Sequence, residues 1–167
     1  MKRLPRVDAK RVVTQELKKT FEQDGAIVLR RLLPNTWVQE LQNMAEENLQ
    51  KPGPLCDEHA KAANTTGRFH DDQFLWKRHD AAREYALHSG IGNLAAHAMG
   101  SKSACLLYDQ LFVKEPGTAA PTPWHHDTSY WHLGGSQICS AWVALDKVPK
   151  ENGLSYVRGS HKWGLNH

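Results

Sequence analysis

Cysteine is scarce in this chain, and its few thiols follow no pairing pattern. Cys56, Cys105 and Cys139 are the only three among 167 residues, and no Cys-x-x-Cys spacing occurs. Such scattered thiols argue against a disulfide scaffold and against a zinc ribbon. They are typical of proteins from the reducing cytosol, so we predict a cytoplasmic location.

Long apolar runs are also missing. No segment approaches the roughly 20 apolar residues that span a bilayer, and the opening MKRLPR lacks the apolar stretch of a secretory signal. We therefore expect no membrane partner. The length and a hydrophobic content of 40% suit one globular domain, 1–167, with a real core.

Charge of one sign is concentrated only near the start of the chain. Residues 1–31 carry nine Lys/Arg and four Asp/Glu, whereas the remainder carries twelve and fourteen. A basic end can attract nucleic acid, but no nucleic-acid motif or aromatic-basic interleaving accompanies this one. We interpret it as the solvated face of a helix and expect no nucleic-acid partner.

The hydrophobic period changes along the chain from helical to strand-like. Val13, Leu17 and Phe21 recur at four-residue spacing, which predicts an amphipathic helix. The later, two-residue period is typical of strands. Helices followed by strands predict an α+β fold with helices packed outside a β-sheet core. The predicted elements are helices at 8–23, from Pro34 to the break at Lys51, 79–88 and 91–99; strands at 26–29, 104–114, 124–131, 137–145 and 153–158; and a long polar loop at 55–73.

The segment PWHHDTSYW, residues 123–131, is the most informative part of the chain. It holds His125 and Asp127 at a spacing that places both side chains on one face of a strand. An imidazole and a carboxylate aimed at one point suit a divalent metal. They form two-thirds of the 2-His-1-carboxylate triad of non-haem Fe(II) oxygenases. We therefore predict a metal site at this pair.

A second His-x-Asp pair, His70 and Asp72, lies in the polar stretch GRFHDDQ. A chance match is unsurprising in a chain with 10 His and 18 acidic residues, so the context must separate the two pairs. His125 follows a loop with three prolines, EPGTAAPTP at 115–123, and precedes a Tyr-Trp pair, whereas no strand pattern follows His70. We interpret His70 and Asp72 as a surface histidine and a solvated carboxylate. The same interpretation remains the alternative for His125 and Asp127.

Four segments, in order along the chain, match the motifs of one enzyme family. They are FEQDGAIVLR at 21–30; DQLFVKEPG at 109–117; WHHD at 124–127, with His126 in place of the usual Gln; and AWVALD at 141–146, followed by Asn152-Gly153 and by RGSHK at 158–162. In these segments the chain resembles the phytanoyl-CoA dioxygenase family of Fe(II)/2-oxoglutarate oxygenases. The resemblance covers nearly the whole chain.

This resemblance implies a fold, a chemistry and a site. The fold is a double-stranded β-helix, a jelly-roll or cupin-like core with the metal in its mouth. His125 and Asp127 become Fe(II) ligands, Gln110 and Trp142 fall where the family contacts 2-oxoglutarate, and Thr122 is a candidate hydrogen-bond partner of that co-substrate. With O2, such an enzyme hydroxylates an unactivated C–H bond of a small organic or acyl substrate. Related halogenases carry a small residue in place of the carboxylate, so Asp127 favours hydroxylation.

Alternation along the strand before the metal loop supports part of this site. One face is apolar and should pack in the core, whereas the mixed face suits the lining of a ligand cavity. A solvent-facing edge strand is the alternative for Gln110 and Lys114, and plain core packing is the alternative for Trp142. The mixed face carries Tyr108, Gln110, Phe112 and Lys114, and the apolar face carries Leu107, Leu111 and Val113.

The chain departs from the family pattern at its end. No residue matches the family's distal His ligand or the Arg that pairs with 2-oxoglutarate; we interpret His161 as structural, and His167 has no motif context. About five strands are predicted, whereas a full jelly roll uses 8. We therefore expect the chain to be the N-terminal part of a longer protein and to be inactive by itself. The alternative is a metal-binding jelly-roll protein without oxygenase activity. His126 and His132 remain either groups that orient the ligands or exposed loop residues.

Overall fold

Helices and a small antiparallel sheet make up the fold. The computed structural model describes residues 4–59, 66–118 and 121–164. Within them lie helices α1 (Ala9–Val12), α2 (Gln15–Asp24), α3 (Asn35–Gln50), α4 (Asp80–His88) and α5 (Ile91–Ala98), strands β1 (Asp57–Glu58), β2 (Phe69–Gln73) and β3 (Gln110–Lys114), and 3-10 turns at Leu75–Lys77, Asp127–Tyr130, Lys150–Asn152 and Ser160–Lys162.

The first predicted helix is divided into α1 and α2. Asp8 caps α1 by accepting hydrogen bonds from the backbone N–H groups of Lys10 and Arg11. The Thr14 hydroxyl accepts the N–H of Leu17 and starts a new helix, which ends at the left-handed Gly25 as its sequence predicts. The apolar spacing therefore located the helical region but did not reveal the second cap inside it.

Strand β2 is the centre of a three-stranded antiparallel sheet in the order β1-β2-β3. His70 lies opposite Val113 and Glu58, and Asp71 lies opposite Phe112 and Asp57. The prediction of a loop at 55–73 was therefore wrong for β1 and β2. These strands are polar on both faces, so they show no hydrophobic alternation.

Two apolar clusters hold the helices together. One lies between the sheet and helices α3 and α4, and the other joins the start of the chain to α5. The apolar face of β3 packs into the first cluster as predicted, through Leu111 and Val113, but Leu107 precedes the strand and is exposed. The buried members are Leu41, Met44, Leu75, Ala82 and Leu111 in the first cluster, and Val7, Ala9, Val13 and Leu94 in the second.

Several predicted strands are absent from the described residues. Segments 26–29, 137–145 and 153–158 form neither helix nor strand over most of their length, residues 127–130 form a 3-10 turn, and only 110–114 of the predicted 104–114 is a strand. A strand needs a neighbour for its backbone hydrogen bonds, and the described sheet ends at β3. Side-chain alternation alone cannot supply that neighbour.

None of the helices in residues 4–59, 66–118 and 121–164 combines the length and the apolar character needed to cross a bilayer.

Candidate metal and co-substrate site

His125 and Asp127 converge although no strand carries them. His126, between them, has an extended backbone with φ −101° and ψ 130°. Because side chains alternate along extended backbone, its two neighbours lie on one side. His125 Nε2 is 3.3 Å from Asp127 Oδ1, and both side chains are partly exposed. The predicted same-face geometry is therefore present on a short extended segment.

A backbone carbonyl orients the His125 ring. His125 Nδ1 lies 2.8 Å from the carbonyl oxygen of Pro123. A carbonyl can only accept, so Nδ1 carries the hydrogen and donates it. Nε2 then points towards Asp127, and the ring also meets Tyr130 edge-on at a centroid separation of 5.5 Å. A ligand histidine is commonly fixed in this way through its second nitrogen.

A hydroxyl from another segment engages the far oxygen of Asp127. Ser140 Oγ donates to Asp127 Oδ2 at 2.8 Å. The pair thus offers one imidazole nitrogen and one carboxylate oxygen, a donor set that fits Fe(II). Within the described parts of the chain, no third His, Cys, Asp or Glu forms a metal-sized cluster with this pair.

The residues predicted to contact 2-oxoglutarate lie in separate surroundings. Gln110 Nε2 donates to Asp71 Oδ1 at 3.1 Å on the outer face of the sheet. Thr122 Oγ1 accepts a hydrogen bond from the Lys114 ammonium at 2.9 Å. Trp142 is 50% exposed and is not packed in a core. Gln110 and Lys114 lie on β3, which is an edge of the described sheet.

His70 and Asp72 are not surface residues, so their interpretation as solvated side chains was wrong. Both are 0% exposed. Asn48 on α3 joins them: its Oδ1 is 2.8 Å from His70 Nε2, and its Nδ2 donates to Asp72 Oδ2 at 2.8 Å. The sequence does not reveal this network, because a polar side chain on a polar strand gives no periodic signal of burial.

Asp72 stays charged in the interior because it is fully hydrogen-bonded. Burial disfavours its charged form, but hydrogen bonds from Asn48, Gly53, Arg78 and Gln73 outweigh that effect and hold its pKa below the usual value. Arg78 also forms an ion pair with it at 2.8 Å. Asp72 therefore ties α3 and the following loop to β2.

Cys56, Glu58 and His70 form the one cluster of metal-ligating type among the described residues. Cys56 Sγ is 3.5 Å from His70 Nδ1, which is 2.7 Å from Glu58 Oε1. The Arg68 guanidinium, however, donates to both carboxylate oxygens of Glu58. It also contacts His70 Nδ1 at 3.2 Å.

The charges around this cluster favour an ion network over a metal. Hydrogen bonding from Arg68 lowers the pKa of Glu58 to about 2. Burial, followed by the charges of Glu58 and Asp72, raises the pKa of Cys56, so its thiol keeps the proton that a metal would have to displace. A cation at this point would also have to displace or face Arg68. We therefore interpret the cluster as structural.

Comparison with known proteins identifies the family. The family described as phytanoyl-CoA dioxygenase (PhyH) matches residues 21–167. A Caenorhabditis elegans protein described as a probable phytanoyl-CoA dioxygenase is 24% identical over 174 aligned positions, covering 90% of this chain and 54% of that protein. L-proline trans-4-hydroxylase from Streptomyces griseoviridis is 26% identical over 157 positions, covering 90% of this chain and 56% of its own length.

The chain spans about half the length of these curated relatives. No solved structure shows significant similarity to it. The family match includes His125 and Asp127 and the segments on either side of them. This chain belongs to the phytanoyl-CoA dioxygenase family.

Proposed function

We propose that the protein is an Fe(II)- and 2-oxoglutarate-dependent dioxygenase in which His125 and Asp127 bind the iron. The convergence of His125 Nε2 and Asp127 Oδ1 at 3.3 Å carries this proposal. We also propose that residues 1–167 belong to a single oxygenase domain, with the three-stranded sheet contributing to a double-stranded β-helix. The family and its two hydroxylating or dioxygenase relatives support this chemistry.

Iron with 2-oxoglutarate, when bound, supplies the O2-dependent oxidation of a C–H bond. The chain's own residues hold and orient the reactants. Pro123 and Ser140 fix the two ligand side chains. For a dicarboxylate, Lys114 provides a positive charge and the neighbouring Thr122 provides a hydroxyl. Gln110 provides an amide, and Trp142 provides an exposed apolar surface.

The proposed substrate is a small organic or acyl molecule, in keeping with relatives named as a probable phytanoyl-CoA dioxygenase and as an L-proline trans-4-hydroxylase. Hydroxylation is favoured over halogenation because the Asp127 carboxylate occupies the position that a halide would need. The alternative is a metal-binding protein of the same fold without oxygenase activity. Such a protein would bind a metal at His125 and Asp127 but would not turn over 2-oxoglutarate.

The decisive variants are His125→Ala and Asp127→Ala in the whole protein as its gene encodes it. We expect each to lose bound iron and to lower succinate formation from 2-oxoglutarate by at least about 100-fold, because each removes a ligand. His88→Ala is the control, since His88 is exposed in the last turn of α4. Iron content is measured by elemental analysis and succinate by chromatography. Unchanged iron and turnover in the His125 and Asp127 variants would contradict the assignment.

The same wild-type preparation separates the alternatives. With Fe(II), 2-oxoglutarate, 18O2, chloride and a pool of small carboxylic, amino and acyl substrates, we expect one product to gain one labelled oxygen, detected by mass spectrometry. A chlorinated product would rule out the hydroxylase assignment. Bound iron with no coupled product from any substrate would favour the non-catalytic alternative.

A further inference from the structure

We propose that Ser140 is a positioning residue for the metal centre. Its hydroxyl holds one oxygen of Asp127, so that the other oxygen faces the metal. The inference rests on the proposed function of His125 and Asp127 as iron ligands. Ser140 lies 13 residues beyond Asp127, in a different segment, and nothing in the family motif WHHD points to it.

The two oxygens of Asp127 have different partners. Oδ2 accepts the Ser140 hydroxyl at 2.8 Å, whereas Oδ1 lies 3.3 Å from His125 Nε2. A carboxylate without such a partner can turn about its last torsion and present either oxygen, or both, to a cation. The hydrogen bond to Oδ2 therefore favours binding through Oδ1 alone and leaves more of the metal's coordination sphere for small ligands.

The two ligands are held in the same manner. The Pro123 carbonyl accepts a hydrogen bond from Nδ1 of His125, and the Ser140 hydroxyl donates one to Oδ2 of Asp127. Each donor atom thus has its direction set by a partner on its opposite side. The partner of His125 is a backbone carbonyl that no substitution removes. Ser140 is consequently a side chain whose substitution can change the direction of the Asp127 carboxylate.

The requirement at position 140 is a hydroxyl and not merely a small side chain. Alanine would keep the volume but leave Oδ2 without its donor, whereas threonine would keep the donor. Because Ser140 is exposed, its replacement should leave the buried clusters intact. Ser136→Ala is the matched control, since Ser136 is an exposed serine four residues earlier in the same segment.

The test measures metal affinity independently of turnover. Wild type, Ser140→Ala, Ser140→Thr, Ser136→Ala and Asp127→Ala are prepared as the whole protein, free of metal, and titrated with Co(II) as a spectroscopic probe. We expect Ser140→Ala to weaken Co(II) binding about tenfold and to alter its visible absorption bands. Ser140→Thr and Ser136→Ala should remain within about twofold of wild type. Thermal unfolding confirms that each variant is folded.

The outcomes distinguish this inference from the proposed function. Retention of Co(II) by Asp127→Ala would overturn the metal site itself. Loss of Co(II) by Asp127→Ala together with unchanged affinity and spectrum in Ser140→Ala would overturn only the role of Ser140. Equal weakening in the Ala and Thr variants would also overturn it, because the effect would then follow the change of shape and not the loss of the hydroxyl.

Discussion

A single residue in extended conformation sets the geometry of His125 and Asp127. His126 places its neighbours on one side, and the contacts of Pro123 and Ser140 then fix the two donor groups. The placement of both side chains on one side thus needs only three residues, whereas the direction of each donor atom depends on Pro123 and Ser140. This explains why the two side chains converge in the absence of a surrounding strand. Their role as metal ligands stays a prediction.

At His70 the side chain contributes to stability. Replacing it with alanine removes a fully buried imidazole and leaves the Asn48 carbonyl oxygen without its partner. We expect His70→Ala to lower the free energy of unfolding by about 2–4 kcal/mol, because an unsatisfied buried group and a cavity are created together. Urea unfolding monitored by circular dichroism measures the change.

His88→Ala serves as the control for this variant, because an exposed histidine substitution should change stability by no more than about 0.5 kcal/mol. Equal stability of the His70 and His88 variants would contradict the structural role. The burial of His70 also affects how the activity of this variant is interpreted. Loss of activity in His70→Ala would reflect loss of folded protein, so it has to be measured together with stability.

These two His-x-Asp pairs show where residue patterns are informative. The spacing of His125 and Asp127 predicted that their side chains converge, and they do; that they bind a metal stays a prediction. His70 and Asp72 have the same spacing, but their side chains bind Asn48 and so join β2 to α3. Their partners come from distant parts of the sequence, so no local pattern distinguishes them.

At the scale of elements, contacts of the charged Glu58 side chain join β1 to β2. The two-residue strand β1 has no buried apolar side chain, and Glu58 binds Arg68 and His70 across the pair. Arg68 also donates from its side chain to the carbonyl of Leu49 at 3.2 Å. The end of α3 and the edge of the sheet are therefore joined by a network that depends on an ionised carboxylate.

This network predicts a loss of stability in acid. Arg68 lowers the pKa of Glu58 from 4.5 to about 2 in the folded state. A depressed folded-state pKa contributes stability that is complete above the unfolded value and is lost as the pH falls from about 4.5 towards 2. Asp72, whose pKa is also lowered, acts in the same direction. Glu58 is half exposed and screened by solvent, so its own share should be about 1 kcal/mol or less.

Glu58→Gln tests the effect. We expect the free energy of unfolding of wild type to fall more steeply between pH 5 and about pH 2.5 than that of the variant, as measured by urea unfolding at each pH. Glu84→Gln, on the partly exposed surface of α4, is the control. Parallel pH profiles for wild type and Glu58→Gln would show that the carboxylate makes no contribution.

Elements were predictable where their apolar face packs against another element. The four helical regions and β3 follow this rule, because their apolar residues enter the two buried clusters. The polar strands β1 and β2 were missed, since hydrogen bonds and ion pairs hold them and leave no hydrophobic period. The division of α1 from α2 depends on one hydroxyl at Thr14, which is a smaller signal than the spacing of the apolar residues.

Over the whole molecule, burial is uneven. The buried apolar residues lie between Val7 and Leu111. Large apolar side chains are exposed in the last third of the described chain, where Trp124 is 73% exposed and Trp142 is 50% exposed. Exposed apolar side chains that recur along one segment mark surfaces suited to contact with other groups. The α+β class was predicted correctly, whereas the double-stranded β-helix stays a proposal. The strands predicted within 124–158 would need pairing partners that side-chain alternation cannot specify.

This unevenness predicts the pattern of amide hydrogen exchange in the 167-residue chain. Amides of β2 and of helix α3 should exchange slowly, because their hydrogen bonds are closed and they border the buried cluster. Residues 137–144 should exchange fast, because they form neither helix nor strand. Leu145 packs against that cluster, and its carbonyl oxygen accepts a hydrogen bond from Gln42 Nε2 at 2.8 Å. Exchange should therefore be slower around Leu145 than in residues 137–144. Mass spectrometry of peptides after labelling gives the rates, with the fully unfolded chain as the reference. Protection of 137–144 comparable to that of β2 would mean that this segment forms a paired strand in solution, as its alternating sequence predicted.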